Sequence, residues 1–292
     1  MSAVTSQPIA APPVSNGIRR LTRAITLLAV VVGPLLFVLP DRTDTLFAWT
    51  INPPITAAFL GANYCTALVI DLLAAREQIW SRVRVVYPAL LLFVVLTLVA
   101  TLLHLDKFHF NSPGMIARGT AWAWLVVYIL VPVAMLVLLV SQVRSAGADN
   151  LLGSAVPCWL RGLLAVQAFI MLVVGVPLFV IPDVASPAWP WSLTPLTAQA
   201  MGAWLVGFGT ATAHSVRENA WERTHITFVA SIVFGILQLA VLIRFVGSVQ
   251  WTSPAAWLYV LFFISITCTG LYGAYAGRES YVLADTSAPP TI

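Results

Sequence analysis

Eight stretches of about 20 mostly apolar residues run through the chain, near residues 21–39, 54–74, 85–104, 119–141, 160–181, 195–214, 225–246 and 254–276. A hydrocarbon core of roughly 30 Å takes about 20 apolar residues of helix to cross, and a helix satisfies all its backbone polar groups internally. The pattern therefore predicts an all-α integral membrane protein with eight transmembrane helices. Runs two and six are interrupted by small and polar residues. Composition agrees: 60% of residues are hydrophobic and 9% charged, against the roughly 25% charged of soluble domains.

Arginine placement sets an orientation, because cytoplasmic segments of membrane proteins are enriched in Lys and Arg. With the N-terminus inside, the inner segments hold Arg19, Arg20, Arg23, Arg76, Arg82, Arg84, Arg144, Arg161, Arg217, Arg223 and Arg278. The outer segments hold only Arg42, Lys107, Arg118 and Arg244. The net charge of +4 is thus topological, and no basic block with interleaved aromatics points to nucleic acid. Both termini are expected in the cytoplasm. Trp49, Trp122, Trp124, Trp189, Trp191 and Trp251 fall on the outer side, where an interfacial aromatic belt is expected. Short loops and a single lysine among 15 basic residues suggest a bacterial plasma membrane protein.

The chain also repeats itself. "VVGPLLFVLPD" (31–41) matches "VVGVPLFVIPD" (173–183) at eight of eleven positions. Trp49 then matches Trp191, Gly61–Ala62 matches Gly202–Ala203, "REQIWSR" matches "RENAWER", and Ser112–Pro113 matches Ser253–Pro254. Ordered matches at nearly constant spacing are the mark of duplication. Four spans return each unit to its starting side, so the two units are expected to be parallel repeats. The division is a disordered cytoplasmic tail at 1–18, a first four-helix repeat at 19–144, a cytoplasmic linker at 145–159, a second repeat at 160–277 and a tail at 278–292.

Spans two and six carry the glycines, and small residues let helices approach closely, so a symmetric interface between these two spans is expected. Span two also carries Asn63, Tyr64, Thr66 and Asp71. A polar group in hydrocarbon costs several kcal/mol unless it finds a partner or a wet cavity, so Asn63, Tyr64 and Asp71 are candidate intramembrane site residues. Asp71, a turn from Arg76, is expected to reach cytoplasmic water. His214 and Glu218 are spaced for a surface pair at the inner end.

A second candidate lies outside, in "HLDKFHF" (104–110), which holds two of the four histidines and the only lysine. Its counterpart in the second repeat, "VGSVQW" preceded by Phe245, has none of these groups. His104, Asp106, Lys107 and His109, with Arg118 in the following loop, form an outer-face candidate cluster. A plain interfacial cap, with Asp106 balanced by Lys107, is the first reading of this cluster; histidine also suits proton transfer near neutral pH, and imidazole with carboxylate suits zinc or iron. Cys65, Cys158 and Cys268 show no CxxC spacing. No HExxH, GxSxG or P-loop pattern occurs, and no connection is long enough for a soluble catalytic domain. The residues assign no cofactor and no metal.

The expected function is handling of a small molecule or lipid, of transporter or carrier type, on a path between the halves. An outer-face enzyme or metal site at His104, Asp106 and His109 is the first alternative. A non-catalytic subunit or assembly factor of a membrane complex is the second. The one partner expected outright is the lipid bilayer.

Overall fold

A computed structural model describes residues 12–145 and 153–278. Residues 279–292 of the expected tail and 146–152 of the expected linker lie outside the described residues. Eight long helices carry the fold: α1 (Asn16–Val38), α2 (Pro54–Arg76), α3 (Tyr87–Leu103), α4 (Met115–Ser145), α5 (Cys158–Val180), α6 (Pro195–Glu218), α7 (Trp221–Arg244) and α8 (Pro254–Ala276). No β-strand occurs among the described residues. Six of the helices, all but α3 and α6, are long and apolar enough to cross a membrane. The chain is an all-helical, multi-pass integral membrane protein.

The two exceptions have local causes. Proline lacks the helical N–H donor, and its ring collides with the carbonyl four residues back. Pro88 therefore separates the single turn Trp80–Val83 from the 17-residue α3, which it opens. In the second half no proline stands at that place, and α7 runs unbroken from Trp221, the match of Trp80. Helix α6 has 24 residues but carries Thr197, Gln199, Thr212, His214 and Ser215 among its apolar ones.

Packing recurs from half to half. Helix α1 lies on α2 as α5 lies on α6; α3 lies on α4 as α7 lies on α8; across the halves, α2 packs on α7 and α3 on α6. The close approaches fall at matched glycines. A Cβ on Gly61 would stand 2.7 Å from the Leu36 carbonyl carbon, and one on Gly202 would stand 2.7 Å from the Gly175 carbonyl oxygen. Both glycine faces are thus used inside a half. That is why α2 and α6 meet only slightly, and the expected symmetric interface between them does not form.

Loops are fastened in matched ways. The amide of His109 donates to the Ala48 carbonyl at 2.9 Å, and that of Gln250 to the Pro190 carbonyl at 2.9 Å. At the opposite end of the bundle Trp80 N donates to Pro12 O at 2.9 Å, and Trp221 N to Ser154 O at 3.0 Å. Part of the stretch expected to be a tail is therefore an ordered strap. Val14 is buried on it, and Gln142 of α4 clamps it by accepting from Ser15 N at 2.8 Å and donating to Pro13 O at 2.9 Å.

The outer tryptophans do not form one belt. Trp49, Trp124, Trp189 and Trp191 are buried, while Trp122 stays exposed. The loops after α1 and α5 tuck inward, so Trp49 packs edge-on to Trp124 at 5.0 Å and Trp191 packs against Tyr259 at 5.6 Å. Aromatic edge-to-face contact and buried area hold these loops against α4 and α8.

Candidate functional site

The outer cluster is not gathered. His104 ends α3, where the helix leaves carbonyls unsatisfied, and its Nε2 meets Gln199 Oε1 at 2.9 Å. The Gln199 amide donates in turn to the Phe179 carbonyl at 3.0 Å near the end of α5. In the other half Arg244, at the end of α7, donates to the carbonyls of Phe37 and Val38 at the end of α1. His104 with Gln199 thus does in one half what Arg244 does in the other.

His109 points elsewhere. Its Nδ1 lies 2.9 Å from the Phe47 carbonyl and its Nε2 lies 3.0 Å from Thr50 Oγ1. A neutral ring donating to Phe47 O and accepting from the Thr50 hydroxyl is satisfied at both nitrogens. Asp106 and Lys107 are exposed and pair at 2.9 Å. The hydrogen bond from the lysine, with its charge, holds the Asp106 carboxyl below the usual carboxylate range. Arg118 is exposed on the first turn of α4. Among the described residues no three His, Cys, Asp or Glu side chains stand together as a metal site.

The polar residues of α2 divide by face. Asn63 is fully buried against α7, where its Oδ1 accepts from Gln238 Nε2 at 2.7 Å. Gln238 also donates to the Phe59 carbonyl at 3.2 Å and accepts from the Tyr259 hydroxyl at 2.9 Å. This network joins α2, α7 and α8, leaving Asn63 Nδ2 as a buried donor without a partner. Tyr64 and Asp71, seven residues apart and so nearly on one face, look the other way.

That face lines a chamber of ≈ 270 Å³ enclosed by α1, α2, α3 and α4. Phe93, Trp124, Tyr128 and Trp204 supply aromatic walls, with Tyr64 and Asp71 among them. The Tyr64 and Tyr128 hydroxyls meet at 2.7 Å, and Trp204 stacks on Phe93 at 3.8 Å and meets Tyr64 edge-on at 4.9 Å. Leu28 and Val31 of α1, which also line the chamber, are exposed on the outside of the bundle. The chamber therefore has a side mouth on the α1 face that would meet lipid.

Asp71 does not reach an aqueous surface. It is 2% exposed, and its Oδ2 is buried without a hydrogen-bond partner. Only long side chains such as Lys and Arg can carry their charge out to an interface. The short aspartate on this central helix instead points into the bundle, where Ala67, Leu90 and Phe93 surround it. No Lys, Arg or His lines the chamber or the small adjoining cavity that Asp71 shares.

Glu218, at the end of α6, is taken by three groups. Arg84 donates to it through Nε and Nη2 at 2.8 and 2.7 Å, Arg223 donates at 2.8 Å, and His214 stands at 3.4 Å. The expected His214–Glu218 pair exists, but inside a larger network that ties the two halves. Gln238, Gln199 and Gln142 are functional fasteners that sequence reasoning passed over. An amide inside an apolar run was the available signal for Gln238.

No protein-family model, no curated protein and no solved structure matches this chain.

Proposed function

We propose that the protein binds and handles a small molecule dissolved in the bilayer, as a carrier or transporter, and that the Asp71 chamber is its binding site. One observation carries this reading: a 2%-exposed carboxylate with an unpartnered oxygen on a ≈ 270 Å³ chamber that no basic side chain lines. A buried carboxyl group left without a partner costs about 1–3 kcal/mol, and more when it is ionised. A purely structural residue at this place would be better as leucine.

We further propose eight membrane crossings, built as two parallel four-helix repeats with both termini in the cytoplasm of a bacterial plasma membrane. Support comes from the matched glycine contacts, loop fastenings and helix pairings, and from α3 and α6 packing on each other in the interior. The path belongs to the first half rather than to a seam between the halves. Asn63, bound to Gln238 away from the chamber, is a fastener of that seam. The outer residues His104 and His109 act as loop and helix-end fasteners.

The test is a panel of one-ring amphiphiles, neutral, cationic and anionic, added to purified full chain in detergent while thermal unfolding is followed. A ligand that binds the folded state raises Tm saturably. At least one probe is expected to do so, and filling the chamber by Ala67→Phe is expected to abolish the effect. No saturable stabilisation by any probe would overturn the reading.

A further inference from the structure

We infer that the chamber selects a hydrophobic organic cation, a quaternary or protonated amine carrying about one aromatic ring. This rests on the chamber being the binding site and adds the chemical class of its ligand.

Charge comes first. Asp71 Oδ2 has no hydrogen-bond partner, and neither cavity that Asp71 touches is lined by Lys, Arg or His. Neighbouring polar side chains are also committed. Tyr64 and Tyr128 hold each other, and Thr120, which also lines the chamber, donates to the Ile116 and Ala117 carbonyls at 3.0 and 2.9 Å. A cationic ligand is the chemistry that would complete the carboxylate, since a buried charge is tolerated when it is paired.

Walls come second. Phe93 and Trp204 line both cavities with Asp71, and Trp124 and Tyr128 continue the aromatic lining outward. Aromatic faces attract cations through the ring quadrupole, tryptophan most, and such cages suit quaternary ammonium groups. The rest of the wall is aliphatic, from Leu28, Val31, Leu90 and Val94 among others, which suits the apolar body. A cavity of roughly 150 Å³ already holds benzene, so ≈ 270 Å³ admits a ring with a small ammonium head.

The protein carries its own control. The place corresponding to the chamber in the second half is a cavity of ≈ 360 Å³ between α5, α6 and α8. Leu205 stands there for Tyr64 and Phe263 for Tyr128, and no charged residue lines it. A neutral apolar ligand has two cavities to choose from, whereas a cation has one.

The experiment compares benzyltrimethylammonium with its uncharged carbon isostere, neopentylbenzene, on purified full-length protein by saturable Tm shift. Wild type is expected to respond to the cation at a concentration at least about tenfold lower than to the isostere. In Asp71→Asn the cation is expected to weaken by on the order of 100-fold, as for a buried ion pair that loses one partner, with the isostere unchanged. Asp71→Asn keeps the shape of the side chain and loses only its acid group, so it is expected to fold; Asp71→Glu, which keeps the acid group, is expected to retain cation preference. An isostere that binds as well as or better than the cation overturns the cation inference and leaves the chamber as a binding site. Equal cation binding by wild type and Asp71→Asn also overturns it. No saturable response to either compound overturns both.

Discussion

The two corresponding cavities differ in one respect that matters. Both lie beside the first helix of their half, and both are roofed by an inward-tucked aromatic loop, Phe47–Trp49 in one and Trp189–Trp191 in the other. The second is lined by aliphatic and aromatic groups and is the larger, ≈ 360 against ≈ 270 Å³. The first adds Asp71 and a tyrosine pair. A hole between helices is therefore what this architecture produces by default. A carboxylate in one of the two is an addition, and it is energetically adverse unless something pairs with it. Size alone would point to the second cavity, not to the one that holds Asp71.

Four experiments would break or sharpen that contrast. The largest effect is expected where the halves are alike. Gly61→Val and Gly202→Val both drive a side chain into neighbouring backbone, and each is expected to cost about 3 kcal/mol of stability. Thermal and denaturant unfolding in detergent would check this, and damage from only one of the two would break the correspondence. Next, Gln238→Leu strands Asn63 and the Tyr259 hydroxyl in the interior. It is expected to cost about 2 kcal/mol without altering probe binding in the chamber, which would separate the seam from the site.

A smaller effect of opposite sign is expected at the carboxylate. Asp71→Leu should stabilise the ligand-free protein by about 1–2 kcal/mol, as relief of an unsatisfied buried group. Its partner experiment at the matching place in the second repeat, Thr212→Asp, should destabilise, because the small inner cavity that Thr212 touches, ≈ 30 Å³, has no room for a counter-ion. Smallest of all, Asp106→Ala and Lys107→Ala break an exposed pair and should change stability by less than about 0.5 kcal/mol, measured by the same unfolding assay. A collapse of binding in either would return the outer cluster to consideration.

Much of the frame was legible because membrane solvent constrains it so tightly. Run length and the internal matches led to the helices and to the glycines that let them touch. Two things escaped. The direction in which the Gly61 and Gly202 faces point depends on which neighbour arrives first, and spacing alone could not say that α1 and α5 would occupy them. Asp71 was visible as a polar residue near Arg76, but its environment is assembled from α3, α4 and α6, far away in the chain. "HLDKFHF" drew attention because its chemistry is concentrated in sequence. In space His104 and His109 diverge to Gln199 and to the Phe47–Thr50 loop.

The most direct measurement is to locate a heavy-atom ligand. Crystals of the full chain grown with 4-bromobenzyltrimethylammonium would show bromine by anomalous scattering. The account expects one peak in the first-half chamber between Trp124 and Trp204, with the ammonium beside Asp71. A peak in the second-half cavity alone, or no ordered bromine at saturating probe, would contradict it.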